Sequence, residues 1–247
     1  MKTSSSFVVK SRAVLPTPQP FHHTPQPLAY RSSRAPELPG APPPSGTVDL
    51  YWLDLDQLDS QRLYPNLSSD ERQRAARFVT AQLQHRFIAA RGSLRRILAA
   101  CLATSAAALR FSYGDKGKPA LAEPAAKLEF NLSHSDGAAL LAVASNHPLG
   151  IDLEPLRPHP EVAAIARRMF DPATADAILH APQELQSERF LYHWTALEAS
   201  AKLYGESLFS PPRSPLWHHH LTPQPGWIAC LALEQPPQQL RWFVLSD

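Results

Sequence analysis

Ten of the 26 prolines in this chain of 247 residues fall between positions 1 and 46, mixed with serine, threonine, glutamine and histidine. Proline lacks a backbone N–H and restricts φ, so this density works against both helix and sheet. The few apolar residues there cannot offset the entropy lost on ordering the chain. Residues 1–46 are therefore expected to be a disordered extension, and the fold must come from 47 onward. The extension carries five Lys/Arg against the single acid Glu37. That basic bias resembles a transit segment, but the prolines would break an amphipathic targeting helix.

With 44% hydrophobic residues the chain can bury one large core or two smaller ones sharing an interface. Beyond the extension, 19 Lys/Arg face 21 Asp/Glu, whereas a nucleic-acid-binding fold is expected to be basic throughout. No apolar run approaches the roughly 18 residues of a membrane span, and no secretory signal opens the chain. These features predict a soluble, cytoplasmic protein with neither a nucleic-acid nor a membrane partner. Cys101 and Cys230 lie among apolar neighbours without a pairing pattern, which predicts buried free thiols.

Val48, Leu50, Trp52 and Leu53 predict a strand. Ser68-Ser69-Asp70-Glu71 offers capping side chains and early acids for a helix N-terminus. A long amphipathic helix follows, with Leu83, Phe87, Ala90, Leu94, Ile97 and Cys101 on one stripe and Arg86, Arg91 and Arg95 flanking it. Strands are expected at 109–113 and 127–132. The apolar run 138–144 turns through Ser145-Asn146-His147-Pro148 into 149–154, most simply as an antiparallel hairpin. Helices dominate 161–203, and two strands close the chain. Strands and helices occur in both halves without regular β-α-β alternation, so the fold class is α+β.

Side chains alternate along a strand, so Asp152 and Glu154 share a face opposite Ile151 and Leu153. Two neighbouring carboxylates suit a hard cation such as Mg²⁺, although such a pair alone is more often a solvated strand edge. About twenty residues upstream, Asn131-Leu132-Ser133-His134-Ser135-Asp136-Gly137 reads as a polar loop whose donors could meet a phosphate or form an ordinary turn. A serine-hydrolase reading fails, because adjacent Ser and His point apart and no nucleophile elbow surrounds them. In the helix after Arg189, Phe190, Trp194, Leu197 and Ala201 form the apolar stripe. Glu198 lies close to it, to be balanced either by a metal or by Lys202 at i+4. His218-His219-His220 reads as an exposed loop rather than a metal site.

Taken in order, five segments resemble the Sfp-type 4′-phosphopantetheinyl transferase family: Ala89-Ala90-Arg91-Gly92-Ser93-Leu94-Arg95, Gly117-Lys118-Pro119, Phe130 to Ser135, Gly150 to Glu154, and Trp194 to Lys202. The resemblance runs from about residue 47 to the end. It implies a pseudo-twofold pair of similar α+β halves, 47–145 and 146–247, with coenzyme A in the cleft between them. It also implies transfer of the phosphopantetheine arm to a serine of an apo acyl, peptidyl or aryl carrier protein, by a monomeric enzyme. The carried-over roles are Mg²⁺ ligation by Asp152, Glu154 and Glu198, and coenzyme A binding by Arg86, Arg91, Lys118, Ser133, His134 and Lys202. Glu198 and Lys202 are the implied catalytic groups.

Two positions depart from the family pattern. Leu197 stands where a lysine proposed to assist the leaving group is usual, and Thr174 stands where glutamate is common, with Asp171 and Asp176 nearby. The alternative to an active enzyme is a weak homologue that still binds coenzyme A or a carrier. A basic-helix nucleic-acid binder would rest on Arg72 to Arg96, but no aromatic platforms lie among those arginines.

Overall fold

In the computed structural model residues 38–124, 126–210 and 215–245 are described. The expected disorder of 1–37 therefore lies outside the described residues, whereas 38–46 are ordered, with Leu38 packed on a core and the Pro43 carbonyl accepting from Ser145 Oγ at 2.6 Å.

The strand β1 (Thr47–Asp54) is buried along almost its whole length, because both of its faces are apolar. Val48, Leu50 and Trp52 point one way, Tyr51 and Leu53 the other, each set entering its own core. Antiparallel to β1 runs β5 (Ala138–Ser145), which also pairs with β4 (Leu128–Ser135). On the other edge of β1 the last strand, β9 (Gln239–Leu245), pairs in parallel, giving a four-stranded sheet ordered β4-β5-β1-β9. Asp49 and Arg241 join these two strands through a bidentate ion pair at 2.6 and 2.7 Å.

A second sheet is ordered β6-β8-β7, from β6 (Leu149–Pro155), β8 (Trp227–Leu233) and β7 (Trp217–Leu221). Its Leu149, Ile151, Leu153, Ala229, Leu231 and Leu233 pack on Val48, Leu50, Trp52, Leu140 and Ala142 of the first sheet. Two short strands, β2 (Arg110–Tyr113) and β3 (Pro119–Glu123), form a separate hairpin.

The helices cover the outer faces. Short α1 (Ser60–Leu63) and α2 (Ser69–Ala75) lead into α3 (Ala81–Cys101), which packs on the first sheet. The expected cap of α2 is present, with the Ser68 N–H donating to Glu71 Oε2 at 3.0 Å. From Ile88 onward α3 is buried on nearly all sides, but Leu83, expected in its apolar stripe, is exposed. Helices α4 (Val162–Met169), α5 (Pro172–Leu179) and α6 (Gln183–Tyr204) follow β6, and α6 covers the second sheet. The resulting class is α+β, layered as helix, sheet, sheet, helix. Among the described residues no helix is long and apolar enough to cross a membrane. Cys101 and Cys230 are buried free thiols, as expected.

Three local expectations are corrected. The segments 138–144 and 149–154 do not form a hairpin: β5 is paired on both edges, by β1 and β4, and has no free edge to offer β6. Asn146, at φ 58°, turns the chain into the second sheet. The supposed polar loop at 131–137 is the end of strand β4, leaving only Asp136-Gly137 as the turn. The three histidines at 218–220 lie on β7, where His220 stacks on Tyr192 with ring centroids 3.5 Å apart, instead of in an exposed loop.

Candidate active site

In β6 the odd-numbered residues face the first sheet, so Gly150, Asp152 and Glu154 face α6. The approach is close. A Cβ on Gly150 would lie 1.9 Å from the Ala199 carbonyl oxygen and 2.5 Å from the Leu203 nitrogen. This contact explains why the buried line of α6 differs from the expected stripe. Leu191, Thr195, Ala199 and Leu203, four residues apart, are buried; of the expected stripe Phe190 is buried too, whereas Trp194, Leu197 and Ala201 are only partly so.

The same approach carries Glu198 and Lys202 over Asp152. Lys202 Nζ lies 2.5 Å from Asp152 Oδ1, 3.0 Å from Ser133 Oγ and 3.4 Å from Glu198 Oε2. The helical Glu–Lys pair and the metal were alternatives in the sequence. The structure shows the pair and adds a second carboxylate, Asp152, to it. Asp152 is 1% exposed, and among the described residues its Oδ2 has no hydrogen-bond partner. Burial, Asp152 and Glu198 together push the Glu154 carboxyl up to about 7. Burial and Asp152 likewise raise Glu198, opposed by Lys202. Three carboxylates thus crowd around one ammonium, a constellation that favours additional positive charge.

β4 runs beside β6, joined to it by side-chain rungs. Asn131 Oδ1 accepts from the Ile151 N–H at 2.9 Å, and Ser133 Oγ accepts from the Leu153 N–H at 3.2 Å. Ser133 Oγ also donates to Asp152 Oδ1 at 3.0 Å, and Ser135 Oγ donates to Glu154 Oε2 at 3.3 Å. Sequence reasoning missed Asn131 and Ser135. Their signal was the period of two in Asn131, Ser133 and Ser135, which marks one face of a strand.

The remaining candidates are placed as follows. His134, next to Ser133 on the strand, alternates to the opposite face; its side chain is exposed, and partial desolvation with the charges of Lys202 and Arg74 holds its pKa down. Arg86 makes a bidentate pair with Asp56 at 2.7 Å, near Gly137. Arg91 is bound to Glu71 and donates to Tyr113 Oη, its guanidinium lying 4.6 Å from the Phe111 ring centroid. Lys118 donates to two backbone carbonyls, Leu149 and Leu203. Among the described residues no three His, Cys, Asp or Glu side chains form a ready-made metal cage.

Comparison with known proteins matches two neighbouring segments of the chain. Residues 148–245 match the model of the 4′-phosphopantetheinyl transferase superfamily, and residues 57–146 match that of the 4′-phosphopantetheinyl transferase N-terminal region. The 4′-phosphopantetheinyl transferase HetI of Nostoc sp. is 40% identical over 168 residues, 66% of this chain and 71% of the relative. The chain belongs to the 4′-phosphopantetheinyl transferase superfamily. Among other members, Sfp of Bacillus subtilis is 27% identical over 158 residues, 64% of this chain and 68% of its own. AcpT of Escherichia coli K12 is 39% identical over 98 residues, 38% of this chain and 48% of its own.

As a member of this superfamily the chain accommodates its two departures structurally. Leu197 packs against the cluster of Phe170, Phe190 and Ile178, so an apolar side chain fits there. Thr174 donates from its N–H and its hydroxyl to Asp171, the N-cap of α5, at 3.1 and 2.7 Å. Asp171 is thereby engaged as a helix cap.

Proposed function

We propose that this chain transfers the 4′-phosphopantetheine group from coenzyme A to a serine of an apo-carrier protein, releasing adenosine 3′,5′-bisphosphate. The observation that carries this reading is the convergence of Asp152, Glu154, Glu198 and Lys202 at the seam between the two sheets, in a chain of this superfamily. On this reading 47–145 and 146–247 are pseudo-twofold halves with coenzyme A in the cleft between them, acting as a cytoplasmic monomer.

The residues present fit a magnesium ion, since Asp152 has a buried oxygen without a partner among the described residues and the donor set is entirely hard oxygen. Asp152, Glu154 and Glu198 would hold it, and when bound it would neutralise charge on the pyrophosphate. Titrating Mg²⁺ into the purified protein is expected to raise Tm, by the equivalent of about 2.7 kcal/mol at a hundredfold excess over Kd. Asp152→Asn should remove most of that shift, and a wild-type Tm indifferent to Mg²⁺ would count against the site.

The chain's own groups supply the rest. The carrier serine oxygen attacks the β-phosphorus, the bond from that phosphorus to the bridging oxygen breaks, and the bisphosphate departs with the electron pair. Glu198, with its raised pKa, takes the serine proton. Lys202 offsets negative charge beside the departing phosphate, the role that Leu197 cannot fill. On this reading Ser133 and His134 grip the 3′-phosphate. Arg86 and Arg91 lie around the nucleotide while keeping the protein partners described above.

Glu198→Gln is expected to lower turnover about a hundredfold at saturating Mg²⁺, the ordinary contribution of a general base. The assay is the mass gain of an apo-carrier incubated with coenzyme A, and unchanged turnover would remove Glu198 from this role. A wild-type protein that modifies none of a panel of acyl, peptidyl and aryl carriers would favour the weak homologue instead.

A further inference from the structure

The Lys118 side chain ends between the two elements that carry the site. Its Nζ donates to the carbonyl of Leu203 at 2.7 Å and to that of Leu149 at 3.1 Å. Leu149 is the first residue of β6, three before Asp152. Leu203 directly follows Lys202 in the last turn of α6.

The last carbonyls of a helix have no partner within it. At the end of α6 the cap residue Gly205, at φ 65°, and Glu206 turn their N–H groups back to the carbonyls of Lys202 and Ala201. The Leu203 carbonyl accepts instead from Lys118, which brings a positive charge to the negative end of the helix dipole. Lys118 arrives from the turn between β2 and β3, held by Gly114 N–H to Lys118 O at 3.0 Å and by the left-handed Gly117. Its stem packs on Gly205, where an added Cβ would meet Lys118 Cβ at 3.4 Å.

We infer that Lys118 is a positioning residue: it clamps the end of α6 to the start of β6 and so sets Glu198 and Lys202 against Asp152 and Glu154. With two of its three N–H groups on carbonyls, its ammonium is occupied by protein rather than by phosphate. Burial also pulls its pKa down, against the weaker pull of Glu129, as suits a cation withdrawn from solvent. The catalytic consequence rests on the transfer reaction proposed above, whereas the clamp itself does not.

The test compares Lys118→Met, which keeps the stem but removes the donors, with Lys118→Arg, which restores donors and charge. Turnover is measured with coenzyme A and with its analogue lacking the 3′-phosphate, and hydrogen exchange is followed along α6 and β6. Lys118→Met is expected to lower kcat about a hundredfold, the cost of a misplaced catalytic group, by the same factor for both donors and with KM little changed. Protection should fall in the last turn of α6, and Lys118→Arg should recover part of both losses. Lys118→Gln, whose amide reaches at most one carbonyl, is read the same way should the methionine variant fail to fold. A rise in KM for coenzyme A that disappears with the analogue overturns the clamp in favour of a phosphate ligand. Unchanged exchange also overturns it. An inactive wild type would overturn the transfer reading alone, leaving hydrogen exchange to decide the clamp.

Discussion

Glu71→Ala is expected to cost about 3–5 kcal/mol of folding stability, the penalty for leaving buried charge without its partner. Glu71 is 3% exposed and lies between Arg91 and Arg95, with Arg95 Nε donating to its Oε2 at 2.5 Å. Arg95 is itself 2% exposed and also donates to the carbonyls of Ala106 and Leu109, so it cannot turn to water. The same substitution removes the acceptor that caps the Ser68 N–H. Against a total stability of about 5–15 kcal/mol, the loss is large enough to read directly as a shift in denaturant midpoint. Adding Arg95→Met to Glu71→Ala should recover part of the loss, because the charge left stranded is then removed as well.

The same cluster sets an acid limit. Burial pushes the Glu71 carboxyl up, but the charge of Arg91 and the hydrogen bonds from Arg95, Ser68 and Arg91 outweigh it, leaving the carboxyl below its ordinary 4.5. A group whose folded value lies below its unfolded value stabilises fully above the unfolded one. Its contribution is therefore complete above pH 4.5 and is lost as the pH falls through the lower folded value. Glu71→Gln should flatten this part of the stability profile, and a variant as acid-sensitive as the wild type would place the sensitivity elsewhere.

Gly150→Ala carries the second large effect. One methyl group 1.9 Å from the Ala199 oxygen and 2.5 Å from the Leu203 nitrogen meets backbone on both sides, so no side-chain rotation relieves it. Helix α6 must lift from β6, at about 3 kcal/mol, the upper range for overpacking. Asp152 is two residues along the strand, and Glu198 precedes Ala199 on the helix, so the lift separates the proposed metal and base groups. Transfer is expected to fall about a hundredfold for a displacement near 1 Å. Denaturation and turnover of the variant check this, and wild-type values for both would mean that α6 does not bear on β6 so tightly.

Several parts of this molecule could be read locally. The period of two in β6 put Asp152 and Glu154 on one face, and the i+4 spacing of Glu198 and Lys202 made them neighbours. Both patterns survive because strand alternation and helical spacing depend on adjacent residues alone. The cap at Ser68 and Glu71 was legible for the same reason. The stripe of α6 was legible only at Phe190, because a helix buries the residues that fit its neighbour. Here that neighbour is a glycine, which selected Ala199 over the more hydrophobic Trp194 and Leu197. Ser133 was placed in a loop because a polar run resembles a turn, although here its side chains replace ladder bonds between β4 and β6.

From sequence alone, then, came the residue types of the site, their local spacing and the family they resemble. Tertiary structure alone decided which elements meet: β5 with β1 instead of β6, β9 with β1 at the far end of the chain, and Lys118 with the end of α6 across 85 positions. The physical reason is that spacing along a strand or helix is set by bond geometry. A partner is chosen by which edge is unpaired, which face has room and which carbonyl lacks a donor, and these arise only once the whole chain is packed.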